Sequence, residues 1–227
     1  MEQLKTISAG EGGATSEFRE DSNFLLGYFG EKEGALTYRY DAERVIIEPW
    51  GENSLRVRAS KEAEMPEEKW ALTEPVKKTD SKVEIMKYSA SITNGKIRAE
   101  INNIGKITIC NSKGEVLLEE YLRNRRDPFA KTMSSLEVEA REFKPIIGGD
   151  YALTMRFESN PHEKLFGMGQ YQQDFLNLKG AELELAHRNS QASVPFCVSS
   201  LGYGFLWNNP AVGKVNFNRN ITSWYAS

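Results

Sequence analysis

The feature that most constrains this chain is a period of two. Leu55, Val57 and Ala59 alternate with Arg56 and Arg58. Ile97, Ala99 and Ile101 alternate with Lys96, Arg98 and Glu100. Leu136, Val138 and Ala140 alternate with Glu137 and Glu139. Tyr151, Leu153, Met155 and Phe157 alternate with Ala152, Thr154 and Arg156, and Leu183 and Leu185 with Glu182 and Glu184. Successive side chains of a strand point to opposite faces, so each run makes one apolar face and one facing water or a polar layer.

Turn chemistry separates these runs. Asn94-Gly95 lies between Ser91–Thr93 and the strand expected from Lys96, a strong short-range hairpin signal. Ser112-Lys113-Gly114, Gly148-Gly149-Asp150 and Gly202-Tyr203-Gly204 mark three more reversals. Many short strands at this spacing argue for an all-β sandwich rather than a parallel α/β sheet. Helical signals are weak. Residues 61–72 are rich in Glu, Lys and Ala, but Pro66 interrupts them. Residues 117–126 read as one short helix or an extended edge. Residues 1–34, Gly-rich around Gly10-Glu11-Gly12-Gly13, read as a loose N-terminal segment able to add one strand. Residues 35–227 then form the β-sandwich domain.

Composition narrows the function. The chain has 227 residues, 27% of them charged, and a formal charge of −3. That balance gives no electrostatic reason to expect nucleic acid or a membrane as partner. No apolar run reaches the ~18 residues of a membrane span. Met1-Glu2-Gln3-Leu4 has neither the basic nor the apolar region of a signal peptide, so a cytoplasmic location is expected. Two cysteines, Cys110 and Cys197, and two histidines, His162 and His187, leave too few soft ligands for a zinc or haem protein. No metal and no cofactor is expected.

His162-Glu163-Lys164-Leu165-Phe166 opens like a zincin helix but lacks the second histidine four positions on. Gly167-Met168-Gly169-Gln170-Tyr171-Gln172 opens like a dinucleotide fingerprint, but Gln172 replaces the third glycine and no βαβ unit surrounds it. Its glycines fit a place where the backbone passes close to another element. Arg123, Arg125 and Arg126 fit a solvated loop or strand edge. The segment from Gln170 to Gln191 is the most suggestive. Its amides, Tyr171 and Arg188 are the fork donors and flat ring that a sugar-binding surface uses, although a polar loop over a sheet edge has the same composition. No pair of catalytic carboxylates can be picked from 32 acidic residues by spacing alone.

Three stretches carry a resemblance. Phe166–Gln170, His187–Phe196 and Ser199–Pro210 resemble the N-terminal region of glycoside hydrolase family 31, the family of α-glucosidases and α-xylosidases. Val45–Arg58 also resembles it, especially the α-xylosidase-like branch. The likeness covers roughly residues 36–227 and is most specific over 199–210. It implies an all-β supersandwich similar to galactose mutarotase, mostly antiparallel and with little helix. It further implies a retaining α-glycosidase whose (β/α)₈ barrel, of ~250 residues, follows this region. That barrel holds the family's nucleophile and acid/base aspartates, so no catalytic residue is assigned here, and the chain alone is expected to be inactive.

The family's N-terminal domain reaches a loop over the barrel to shape the leaving-group subsite. Arg188-Asn189 matches that loop; some relatives carry aspartate where Asn189 stands, and its amide can still bond a sugar hydroxyl. The substrate-binding candidates are thus Gln170, Tyr171, Arg188 and Asn189. The expected partners are a carbohydrate at the domain edge and the catalytic barrel. A face left open without that barrel would promote homo-oligomers. A free-standing carbohydrate-binding module is the alternative, its aromatic platform to come from Tyr171, Trp207 or Trp224, although Trp207 follows an apolar run and reads as core. An aldose mutarotase is a third reading, but its acid and base would have to come from two poorly placed histidines.

Overall fold

Most of the alternating runs become strands because an extended backbone is what puts their apolar residues on one side. The computed structural model describes residues 27–73, 81–123 and 136–227. These divide into two units, 27–68, 73 and 81–116 in the first, and 69–72, 117–123 and 136–227 in the second. Seventeen strands and no helix occur among the described residues.

The first unit opens with a meander of β1 (Tyr28–Lys32), β2 (Ala35–Tyr40), β3 (Glu43–Pro49) and β4 (Leu55–Ser60), paired antiparallel in that order. A second meander follows, of β5 (Lys82–Ile85), β6 (Ser89–Asn94), β7 (Ile97–Asn102) and β8 (Ile107–Asn111). Leu36, Tyr38, Val45 and Ile47 of the first sheet share one core with Ala90, Ile92, Ala99, Ile101 and Ile107 of the second. The opposite side of β4 is a polar layer: Arg56 and Arg58 both reach Glu48 on β3, at 3.4 and 3.0 Å. Residues 61–68, where Pro66 stands, form no helix; Arg56 and Arg58 donate to the carbonyls of Glu68 and Pro66 instead.

The β6–β7 hairpin forms where Asn94-Gly95 announced it, but one residue later. Asn94 pairs with Ile97 as the last rung of the ladder, so the two loop residues are Gly95 and Lys96. Gly95 takes φ +58° as the first of them, the place glycine holds in a type II′ turn. Asn94 is freed for another task. Its buried side-chain amide donates to the carbonyls of Gly51 and Ser54 at 2.7 and 2.8 Å, tying down the β3–β4 loop.

β9 (Val116–Glu119) carries the chain into the second unit. Residues 120–123 continue extended, with isolated bridges at Glu120 and Arg123, so the 117–126 segment is an edge as far as it is described. Arg125 and Arg126 lie outside the described residues. Then come β10 (Arg141–Pro145), β11 (Tyr151–Glu158), β12 (Leu165–Gln170), β13 (Glu182–Leu185), β14 (Ala192–Ser199), β15 (Gly204–Leu206), β16 (Gly213–Phe217) and β17 (Ile221–Ala226). They form a five-stranded sheet, β10-β11-β17-β16-β13, and a three-stranded sheet, β12-β14-β15, both antiparallel. Trp224 stands at the centre of their shared core, stacked on Trp207 and set edge-on to Phe217.

The alternation over Leu136–Ala140 does not make a strand. Val138 forms a single bridge to Arg123, and the ladder with β11 starts only at Arg141. The reason is competition for an edge: Glu120 already bridges Phe157, and Tyr121 donates to the carbonyl of Arg156, occupying the part of β11 that residues 136–140 would need. Residues 1–26 of the expected leading segment lie outside the described residues.

Candidate functional site

The site region grows from an irregularity. β12 and β14 pair in register from Leu165 opposite Ser199 to Gly167 opposite Cys197, then resume with Gly169 opposite Ser193. Between those points β14 has three residues, Val194, Pro195 and Phe196, where β12 has only Met168. A proline cannot donate to a ladder, so the gap is where β14 tolerates one. Met168 is fully buried at φ +70°. Gly169 takes φ +93°, and a Cβ on it would fall 2.1 Å from the carbonyl oxygen of Ala192. Close backbone approach, not phosphate binding, is what these glycines serve.

This bulge sets the end of β12 beside the start of β14. Gln170 pairs with Ala192 there and is exposed. Tyr171 is half-buried against the core; its hydroxyl donates to the carbonyl of Glu184 at 2.8 Å and meets the Ser193 hydroxyl at 2.9 Å. Arg188 grips the Glu184 carboxylate through Nε and Nη2, both at 2.7 Å. Arg188 and Gln191 exchange backbone hydrogen bonds, which leaves Asn189 and Ser190 as the tip of a tight loop. Glu184 is therefore the hub that holds Tyr171 and Arg188 together. The side-chain amides of Gln170 and Asn189 make no hydrogen bond to another described residue. The edge thus presents two unengaged amides beside a fixed guanidinium, a set suited to several hydroxyls.

Glu163, which the sequence shows only as part of an incomplete zinc motif, has a structural role. It is buried just before β12. Its Oε1 accepts from the hydroxyls of Ser199 and Tyr203 at 2.5 and 2.6 Å. Lys179 Nζ lies 3.6 Å from Oε2 and donates to Ser159 Oγ at 2.5 Å. Burial holds the Lys179 ammonium below its usual range, with Glu163 pulling the other way. Burial, reinforced by Glu163, pushes the Cys197 thiol up to about 12 and the Tyr203 phenol up as well. A thiol so shifted is no nucleophile near neutrality. The cluster positions the β14–β15 turn and the 174–180 loop. No sequence signal could have found it, because its members lie 16 to 40 residues from Glu163.

Of the rings offered for an aromatic platform, Trp207 is core, as its apolar run implies, and Trp224 is core as well. Trp70 is instead 60% exposed, at φ +49°, in a turn held by Asn208, which donates to the Lys69 carbonyl and accepts from the Ala71 amide. Its neighbours Glu67, Glu68 and Lys69 read as an interrupted helix, which hid it. Among the described residues no group of His, Cys, Asp and Glu could hold a metal, and no helix is long and apolar enough to cross a membrane.

An all-β protein of stacked antiparallel sheets, with a polar edge beside a bulged strand, is the class this architecture defines. The family model described as the glycosyl hydrolase 31 N-terminal galactose mutarotase-like domain matches residues 44–216, and the chain belongs to this family. It is 47% identical over 204 residues to an uncharacterized family 31 glucosidase of Pseudescherichia vulneris, covering 86% of this chain and 38% of that protein. It is 25% identical over 218 residues to α-xylosidase A of Aspergillus niger, covering 88% of this chain and 28% of that protein. Its structure matches that of a GH31 α-xylosidase from a soil metagenome, solved with xylose, with a TM-score of 0.83 and 51% identity over 87% of this chain and 30% of that one. The chain spans well under half the length of each of these relatives.

Proposed function

We propose that this chain is the N-terminal domain of a retaining α-glycosidase of α-xylosidase type, that it supports a catalytic barrel, and that its polar edge lines the leaving-group subsite. The observation that carries the reading is the likeness, at 51% identity, to a GH31 α-xylosidase solved with xylose. In that role Gln170, Arg188 and Asn189 offer hydrogen bonds to sugar hydroxyls, and Tyr171 fixes the edge from behind. Residues 35–227 act as one domain with 1–34 as a leading segment, the protein works in the cytoplasm, and the isolated chain tends to self-associate.

The test uses the complete product of the gene and the 227-residue chain side by side. The chain alone should release no nitrophenol from nitrophenyl α-xyloside, and the complete product should. Asn189→Ala in the complete product should raise KM for a disaccharide substrate several-fold and leave the thermal midpoint in place. A disaccharide KM unmoved by both Asn189→Ala and Gln170→Ala would remove the subsite from the proposal. Turnover by the chain alone would remove the division of labour.

A further inference from the structure

The sequence contains one Asn-Gly pair, Asn94-Gly95, and the fold sets it under the β3–β4 loop. Each of the two residues is there for packing. A Cβ on Gly95 would fall 2.2 Å from the carbonyl oxygen of Glu52 and 2.4 Å from Asn53 Oδ1, and φ is +58°, so no larger residue fits. Asn94 is 1% exposed, and its Nδ2 donates to the carbonyls of Gly51 and Ser54. The Lys96 amide donates to Asn53 Oδ1 at 2.8 Å and holds the same loop from the other side of the turn. Asn94 Oδ1 is buried without a hydrogen-bond partner.

Together these packing demands create a chemically labile pair. Asparagine is a thermolabile residue, and a following glycine leaves its backbone nitrogen unshielded. Gly95 N can bond to Asn94 Cγ while the Cγ–Nδ2 bond breaks, and the Gly95 proton leaves with the side-chain amide as ammonia. Water then opens the cyclic imide at either carbonyl, which leaves aspartate or its β-linked isomer. We infer that Asn94-Gly95 is a latent site of this modification, that the β3–β4 loop keeps it closed in the folded chain, and that conversion releases the loop. Asn94 is held as the last rung of the β6–β7 ladder, and its leaving amide is anchored on two carbonyls. No donor stands at Oδ1 to stabilise the oxyanion of the tetrahedral intermediate. Attack therefore waits for residues 51–54 to lift. Afterwards the loop cannot return as it was. A carboxylate at position 94 has no proton to give and would face the carbonyl oxygens of Gly51 and Ser54 in a buried place. Every group involved belongs to the first unit, apart from the proposed sugar-binding edge.

The test follows Asn94 by peptide mass spectrometry in the complete gene product at mildly alkaline pH, folded and unfolded in urea. Conversion in the folded protein should be slower by roughly 30-fold or more, the factor that two net hydrogen bonds are worth. Comparable rates in the two states would overturn the inference. Asn53→Ala removes the acceptor for the Lys96 amide without touching the reacting pair, and should speed conversion in the folded protein several-fold. Ile101→Val trims the core of the same unit at the other end of β7 and should leave the rate near that of the parent. Equal acceleration by the two variants would assign the gate to unfolding of the whole unit and remove the loop from it. Asn94→Asp stands in for the product. Its thermal midpoint should fall at least as far as that of Asn94→Ala, and a midpoint near the parent's would refute the release.

Discussion

Glu163 shows how much a single buried side chain can organise. Three hydroxyl or ammonium donors from two separate segments, the β14–β15 turn and the 174–180 loop, converge on or beside its carboxylate. Removing one partner of a buried charged pair leaves the other desolvated and uncompensated, at a cost of about 3–5 kcal/mol. Glu163→Ala should therefore lower the urea midpoint steeply, while Glu163→Gln, which keeps an acceptor for the two hydroxyls, should lose clearly less. Equal losses for the two variants would mean that packing, not charge, sets the cost. Alkaline pH probes the same cluster. The Cys197 thiol is raised from 9.0 to about 12, so between those values the folded state holds a proton that the unfolded chain releases. Its contribution is intact below about pH 9 and is lost as pH climbs toward 12, at about 1.4 kcal/mol per unit. Tyr203 acts in the same direction above pH 10, and Lys179, whose folded value is lowered, acts in the opposite one. Urea unfolding of Cys197→Ala between pH 8 and 10.5 should accordingly show a shallower alkaline decline than the parent. Parallel declines would take Cys197 out of the linkage.

At the scale of elements, alternation was a sound guide wherever a partner edge was free. Leu55–Ala59, Ile97–Ile101, Tyr151–Phe157 and Leu183–Leu185 all lie in strands. Leu136–Ala140 carries the same pattern without a ladder, because Glu120 and Tyr121 hold the neighbouring edge of β11, and a local pattern contains no information about which edges are taken. The Asn94-Gly95 hairpin teaches the complementary lesson. The dipeptide marked the reversal, but asparagine's role was decided by the β3–β4 loop some 40 residues away. Two hydrogen bonds from a buried amide, each worth about 1 kcal/mol with more for carbonyls left unpaired, put Asn94→Ala at about 2–3 kcal/mol destabilising. Had Asn94 merely served as a turn former, Asn94→Gly would restore stability. The expected result is that glycine does no better than alanine, and a thermal midpoint for Asn94→Gly near that of the parent would refute the clamp.

On the scale of the whole molecule, family membership was legible because it rests on runs such as Ser199–Pro210, in which many positions act together. The candidate sugar-binding residues were legible as a composition and, for Arg188 and Asn189, through the resemblance of their loop to the family's. That Tyr171 and Arg188 are joined through Glu184, and that Trp70 is an exposed tryptophan while Trp207 and Trp224 are core, depends on long-range packing. The outer face of β12-β14-β15 exposes Val194, Phe196 and Val198, and the expectation of homo-oligomers is a question for that face. Its consequence for the isolated chain can be measured directly. Val194, Phe196 and Val198 together expose an apolar stripe, and burying the exposed half of one such side chain against another copy gains about 1 kcal/mol. The 227-residue chain should therefore sediment with a concentration-dependent coefficient, and salts that strengthen apolar association should promote the larger species. Phe196→Lys places a charge at the centre of the stripe on a side chain that is already exposed, so the fold should keep its thermal midpoint. The same substitution should weaken association by at least tenfold, because a buried unpaired ammonium costs more than the 1.4 kcal/mol that factor represents. Association that survives Phe196→Lys unchanged would locate the contact elsewhere on the chain, and Trp70→Ala would then be the variant to compare.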